Sequence, residues 1–260
     1  MGRLRPSLVL GCGAFAGLLW AASAAAQTDE IQVYDGALAV PGALAATLHN
    51  NYVADGLTTP AFPGAVTADR SWNGAFEWAL GVRRWFEAGL YLPVYSHDDR
   101  HGWGLDGFKL RALFALPDAA RRRFFYGCNL EWSVNARRWD KARFTSEIRP
   151  IVGWHLGPAD VVLNPILDTS WDGFGKLGLA PASRVALNFA RRWTVAVEEY
   201  AELGPVHGLR AASDQQHQLY AVVDHSSGAL DVEAGVGFGL TNVSDRLTVK
   251  LILSRQLKGR

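Results

Sequence analysis

The sequence predicts an all-β fold, an up-and-down antiparallel transmembrane β-barrel of about twelve strands. Three observations predict it. From Leu44 onward, apolar and polar residues alternate in segments of mostly about 9–12 residues, the length a tilted strand needs to cross a bilayer. The number of segments is even, as a closed single-chain barrel with both termini on one side requires. The connections also alternate in length. Those at 83–85, 117–123, 157–160, 191–193 and 227–228 are short, and those at 54–71, 96–104, 135–143, 171–180 and 202–216 are longer; only 241–245 is short among the latter. This is the asymmetry between periplasmic turns and extracellular loops.

Taken in order, residues 1–26 read as a signal peptide. Arg3 and Arg5 make a basic start, Leu8 to Trp20 an apolar run, and Ala24-Ala25-Ala26 a small-residue cleavage site before Gln27. A lipobox ending at Cys12 is the rival reading, but the apolar run ahead of it is too short. Residues 27–43 form a leader with little pattern, expected on the periplasmic side from which the barrel is entered. Residues 44–257 form the barrel.

Leu44–Val53 alternates first. Trp72–Val82 sets Trp72, Phe76, Trp78 and Leu80 against Asn73, Ala75 and Glu77. After a tight turn, Phe86–Tyr95 sends Phe86, Ala88, Leu90, Leu92 and Val94 outward and Glu87, Gly89 and Tyr91 inward. Leu105–Leu116 sets Phe108, Leu110 and Phe114 against Lys109 and Arg111, and Phe124–Val134 sets Tyr126, Cys128 and Trp132 against Asn129 and Glu131. Phe144–Leu156 and Val161–Ser170 form a hairpin turning at Gly157-Pro158-Ala159-Asp160, with Ile148, Val152 and Trp154 opposite Glu147 and Arg149. Ala182–Ala190 sets Val185, Leu187 and Phe189 against Arg184, whereas Thr194–Ala201 is ambiguous because Glu198 and Glu199 are adjacent. Gln218–Ser226, Leu230–Leu240 and Arg246–Leu257 complete the wall.

The hairpin alone does not say which face is inside, since a soluble sandwich would bury its apolar parity. An apolar face on every strand, with charges on the other, fits lipid outside and a polar lumen inside. Trp72, Phe86, Trp103, Trp139, Trp171 and Trp193 at strand ends fit aromatic girdles. Parity then gives the lumen-lining candidates Glu77, Glu87, Lys109, Arg111, Glu131, Glu147, Arg149, Asp168, Arg184, Asp224, Glu233 and Lys250. Opposite charges in a narrow barrel pair with one another; Lys109 and Arg111 with Glu131, and Glu147 with Arg149, are the expected pairs. Inward Gly89, Gly127, Gly153, Gly235 and Gly237 mildly favour open space, although glycines also help strands curve.

Beyond residue 26 the chain has 24 basic and 25 acidic side chains, which gives no reason to expect nucleic acid as a partner. Cys128, the one cysteine left there, reads as a small hydrophobe. An outer-membrane lipid hydrolase would need a Ser–His pair on its outer wall. His225 and Ser226 are adjacent on a strand and point to opposite faces, so they form no dyad. His97, Asp98, Asp99 and His101 read as a solvated turn before a metal site. No catalytic residue, cofactor or metal is predicted. Arg-Arg-Trp recurs at 83, 137 and 191. Three strands separate the copies, so the motif is no structural repeat and reads as interfacial anchors.

The segments EIRPIVGWHLGPADVVLNPILD, FEWALGVRRWFEAGLYLPVY and GVGFGLTNVSDRLTVKLIL, with EIQVYDGALAVPGALAATLHNNYV near the start, resemble the outer-membrane family named for the MetA pathway of phenol degradation. The resemblance runs over about residues 30–253. It implies an outer-membrane channel or transporter, in some members linked to uptake of aromatic compounds, and carries over no catalytic residue. The ending, Arg-Gln-Leu-Lys-Gly-Arg, departs from a barrel chain that stops at an aromatic. The expected function is passage of small solutes, aromatic or hydrophobic ones included. The alternative is a structural or adhesive barrel with a plugged lumen. The expected partners are outer-membrane lipid, a small-molecule solute, and the export and barrel-assembly machinery.

Overall fold

A computed structural model describes residues 29–258 of the chain, so the signal-peptide reading of residues 1–26 lies outside the described residues. Twelve antiparallel strands form one closed ring. They are β1 (Leu44–Asp55), β2 (Ser71–Arg83), β3 (Phe86–Asp98), β4 (Gly102–Ala115), β5 (Phe124–Asn135), β6 (Phe144–Leu156), β7 (Ala159–Asn164), β8 (Ala182–Ala190), β9 (Trp193–Glu202), β10 (Gln216–Ser226), β11 (Asp231–Gly239) and β12 (Leu247–Lys258). Each strand pairs with its sequence neighbours, and β12 closes on β1 from Leu44↔Lys258 to Asp55↔Leu247. Closure leaves no free edge, the condition for a sheet to sit in lipid.

The wall is inside out relative to a soluble protein. Leu110, Val185, Val197 and Phe238 are more than half or about half exposed on its outer face, while Lys250 and Glu198 are fully buried within. Strand alternation puts these sets on opposite faces of the same strands. The parity of β9 is settled by register: Glu198 faces inward opposite Arg184, and Glu199 faces outward, where His217 meets it at 3.0 Å.

The wall is irregular in two places. At Pro165-Ile166 the seventh strand breaks, because proline has no N–H to give a ladder. The chain resumes as Leu167–Thr169 on β6, and short pairings through Gly178–Leu179 and Gly204–Pro205 continue the sheet where β8 has ended. The second irregularity is a pair of facing bulges. The register shifts between Tyr91 and Tyr95 on β3, opposite Gly107 on β4. The shift reverses parity, so Val94, expected outward, lies buried inside against Ala75, Tyr91 and Trp139. On β4 it lets Asp106 and Lys109, three residues apart, both turn inward. Gly107 holds a φ of 139°, and a Cβ there would strike the Val134 carbonyl. Gly107→Val is expected to cost at least about 1–3 kcal/mol of folding stability, read as a lower yield of the heat-modifiable folded band on a denaturing gel.

The same bulges change the reading of Arg-Arg-Trp. At 137–139 the motif is no interfacial anchor. Trp139 is buried, and Arg138 reaches inward to Asp106 (2.6 Å) and to the Ser96 carbonyl (3.1 Å) and hydroxyl (3.0 Å). The copies at 83–85 and 191–193 keep exposed Trp85 and Trp193 at the short-turn end. The loop expected at 96–104 shrinks to 99–101, because β3 and β4 stay paired out to Asp98↔Gly102.

The leader is the main correction. Expected on the periplasmic side from which the barrel is entered, it lies inside the barrel from Asp29 to Tyr34. Asp29, Glu30, Ile31, Val33 and Tyr34 are buried, and their partners come from strands all round the ring. The chain leaves the interior at the short-turn end, where Gly36 packs on Phe125, Ala115 and Ala119 and Ala43 precedes β1.

Candidate functional site

The candidate site is the barrel interior, where the leader meets a network of buried charges. The leader supplies backbone as well as side chains. Tyr34 donates its N–H to Asn164 Oδ1 (2.7 Å), and Asn164 Nδ2 donates back to the Tyr34 carbonyl (3.0 Å), so one side chain mimics a strand pairing. The Tyr34 and Tyr91 hydroxyls meet at 2.5 Å. Arg149 donates to the Gln32 carbonyl (2.9 Å), Lys250 to the Ile31 carbonyl (3.1 Å), and Ala39 N–H to Glu87 (2.5 Å). The polar backbone of a buried, strandless segment is thereby partnered by wall side chains.

Side-chain charges fall in two groups. In the first, Glu77 binds His49 (3.0 Å) and Arg111 (2.6 Å), and Arg111 also binds Glu87. Lys109 meets Asp29 at 2.7 Å and Glu131 at 3.6 Å, and Arg149 meets Glu147 at 2.6 Å and Glu30 at 3.6 Å. The expected pairing of Arg111 with Glu131 is not made. Gly89 stands opposite Arg111 on β3, and the guanidinium lies back across the space a side chain would fill, toward Glu77 and Glu87. In the second group Arg184 bridges Glu198 and Asp224, with Glu233 at 3.5 Å. Lys250 bridges Glu198 (2.5 Å) and Glu233 (2.6 Å), and the Tyr200 hydroxyl donates to Glu198 (2.7 Å).

Asp168 stands apart. It lies in register with Glu147, which lies in register with Glu131, so three carboxylates run side by side across adjacent strands. Asp168 is exposed, at the edge of the interior beside the broken seventh strand. In the loops outside the wall, burial pushes the Asp245 carboxyl up, against the Leu57 N–H that it accepts at 2.9 Å. Burial likewise pushes up Asp140.

The inward glycines do not open the lumen as expected. The Phe125 ring lies over Gly153, the Tyr220 ring over Gly237, and Lys250 over Gly235. Glycine here lets a large cross-strand side chain lie flat on the wall. Missing from the sequence-derived set are Glu198, hidden by its ambiguous parity, and Asp29 and Glu30, placed outside with the leader. The charged pair Asp29-Glu30 followed by alternating Ile31 and Val33 was the available signal.

The other chemical candidates have local uses. Asp98 accepts the backbone N–H groups of Thr67 (2.8 Å) and His101 (2.6 Å) and the His101 ring (3.0 Å), which pins two loops together. Among the described residues no group of three or more His, Cys, Asp or Glu is arranged to hold a metal ion. His225 packs on Trp193 with ring centroids 4.2 Å apart, and the Ser226 hydroxyl donates to Asp231.

No family model matches the chain, and no curated protein matches it in sequence. Solved structures do match in fold. A crystallised outer membrane channel from Pseudomonas putida F1 superimposes with a TM-score of 0.59 over 88% of this chain and 100% of that one, at 12% identity. The NanC porin superimposes with a TM-score of 0.51 over 83% of this chain and 100% of that one, at 7% identity. At such identities the likeness is one of fold: this chain has the fold of outer-membrane barrels.

Proposed function

We propose that this protein is an outer-membrane channel for small solutes, held closed in this structure by its own leader. One observation carries the reading. A complete ring with an apolar exterior encloses a charged interior, and the room within is taken by a segment that contributes no strand. A barrel needing only a packed core would not spend about a dozen ionic groups where lipid-like side chains cost less. The long loops face outward and the short turns face the periplasm. The channel fold of the neighbouring structures supports this reading.

The segments resembling the family named for the MetA pathway support a small aromatic solute. The interior supports polar aromatics over purely hydrophobic ones, since Tyr34, Tyr91, Tyr200 and Tyr220 alternate there with carboxylates and cations. No enzymatic role is proposed. A structural or adhesive barrel with a plugged lumen is the second reading, favoured by the leader's many contacts.

The test is conductance and solute flux of the purified protein in planar bilayers and loaded vesicles. Channel activity requires a resolved conductance at least after the leader is removed; a folded barrel that is sealed with and without its leader establishes the plugged reading. Arg184 joins Glu198 on β9 to Asp224 on β10. Arg184→Ala in the leaderless protein is expected to raise single-channel conductance further and to increase preference for cations, because it removes bulk and positive charge together.

A further inference from the structure

The two ends of the barrel differ in how their bases are grouped, with runs of adjacent arginines beside outward aromatics at the short turns. At the long-loop end several bases have acids beside them, Arg138 with Asp106, Lys176 with Asp172, Arg210 with Glu202 and Arg246 with Asp55, while Arg100, Arg137, Lys141 and Arg143 have no ion pair among the described residues. At the short-turn end, three connections carry Arg83-Arg84, Arg121-Arg122-Arg123 and Arg191-Arg192, all exposed. Among the described residues only Arg84 of these has an ion pair, with Asp118 at 2.7 Å.

Each arginine group adjoins outward aromatics. Trp85, Phe86 and Phe114 lie together beside the first, with Phe86 and Phe114 stacked at 4.9 Å. Phe124, Tyr126 and Trp154 lie together beside the second. Trp193 and exposed Phe189 flank the third. The third group also borders an open cleft of about 490 Å³ at the mouth of the lumen, whose lining includes Asn188, Arg191, Arg192, Thr194 and the carboxylate of Asp224.

We propose that this rim, at its exposed arginine groups and the outward aromatics beside them, binds the phosphodiester headgroups of anionic glycerophospholipids in the adjoining leaflet. The proposal rests on the reading of the wall as membrane-spanning. Aromatic rings settle at headgroup depth, so the residues just beyond them stand among lipid phosphates. A guanidinium presents paired N–H groups matched to two phosphate oxygens. The unpaired arginines therefore meet anions at the depth where the apolar wall ends. An acidic protein docking on the end of the barrel would have no use for the aromatics on the outer wall.

The experiment uses the full-length protein in vesicles of phosphatidylcholine alone and of phosphatidylcholine with phosphatidylglycerol in equal parts. Lipid retained after mild detergent extraction is measured by native mass spectrometry. The protein is expected to keep phosphatidylglycerol over phosphatidylcholine by at least about fivefold. The joint variant Arg191→Gln, Arg192→Gln, Arg121→Gln, Arg122→Gln, Arg123→Gln is expected to lose that preference while still migrating as a folded barrel. Arg100→Gln, Arg137→Gln and Lys141→Gln together, at the other end, are expected to keep it. Equal retention of the two lipids overturns the proposal, as does equal loss in both variants. Loss of the preference in inorganic phosphate, beyond that in sodium chloride of the same ionic strength, marks a free-phosphate site and overturns it too, as does capture of an acidic polypeptide by the rim without lipid preference. Failure to insert into either vesicle would instead count against the membrane reading itself.

Discussion

Deleting residues 29–42 is expected to turn a barrel whose interior holds its own leader into a conducting one. The registers of the wall begin at Leu44, and the deletion takes from them one flanking backbone bond, Gly42 N–H to the Gly81 carbonyl (2.7 Å), so the ring should close without the leader. The cations it leaves behind keep wall partners: Lys109 has Glu131, Arg149 has Glu147, and Lys250 has Glu198 and Glu233. No buried base is therefore stranded, and the deletion differs from removing one half of a buried ion pair. With residues 1–28 retained, single-channel recording should show a shift from near-zero current to a resolved conductance step, and heat modifiability should show a folded barrel. A folded deletion protein that passes no current would rule out the leader as the obstruction.

The second large effect is expected at Lys250. Its ammonium is fully buried and held by two carboxylates and the Ile31 carbonyl. Lys250→Met removes the charge, keeps the volume, and leaves Glu198 and Glu233 facing each other with Arg184 alone between them. The cost should be about 3–5 kcal/mol of folding stability, measured as a lower urea midpoint in lipid. Lys250→Met with Glu198→Gln should recover a good part of that loss, because the two changes act on one network. An exposed pair such as Arg70 and Asp99, 3.7 Å apart, should cost less than about 1 kcal/mol when broken.

How much of this was legible in the sequence differs between the wall and its filling. The wall was legible because a strand between lipid and a polar interior carries its two environments at a period of two, and twelve strands repeat the message. Glu77, Glu147 and Arg149 could be turned inward from parity alone. Partners could not be assigned so readily. Arg111 reaches Glu77 across two strands because Gly89 leaves it a path, and that depends on register. Val94 was misplaced for a related reason. The bulge that turns it inward sits opposite Gly107, more than a strand away in sequence, and neither residue announces the other. The leader is harder to place because, beside the Asp29 and Glu30 side chains, several of its anchors join wall side chains to its backbone, which has no sequence signature. Asn164 holding both backbone polar groups of Tyr34 is the clearest case.

The leader's attachment has a kinetic and thermodynamic consequence. It is joined to the wall at Leu44 through the short stretch Val40-Pro41-Gly42-Ala43, and so behaves as a tethered ligand for the interior. Short tethers hold such ligands at effective concentrations on the order of millimolar. A solute that needs the same carboxylates and guanidiniums must compete at that level, and a weak one present at low concentration will find the interior occupied. Cutting the tether would change the order of the reaction from unimolecular to bimolecular. The freed segment would then dilute away, and occupancy of the barrel would depend on how much peptide is present.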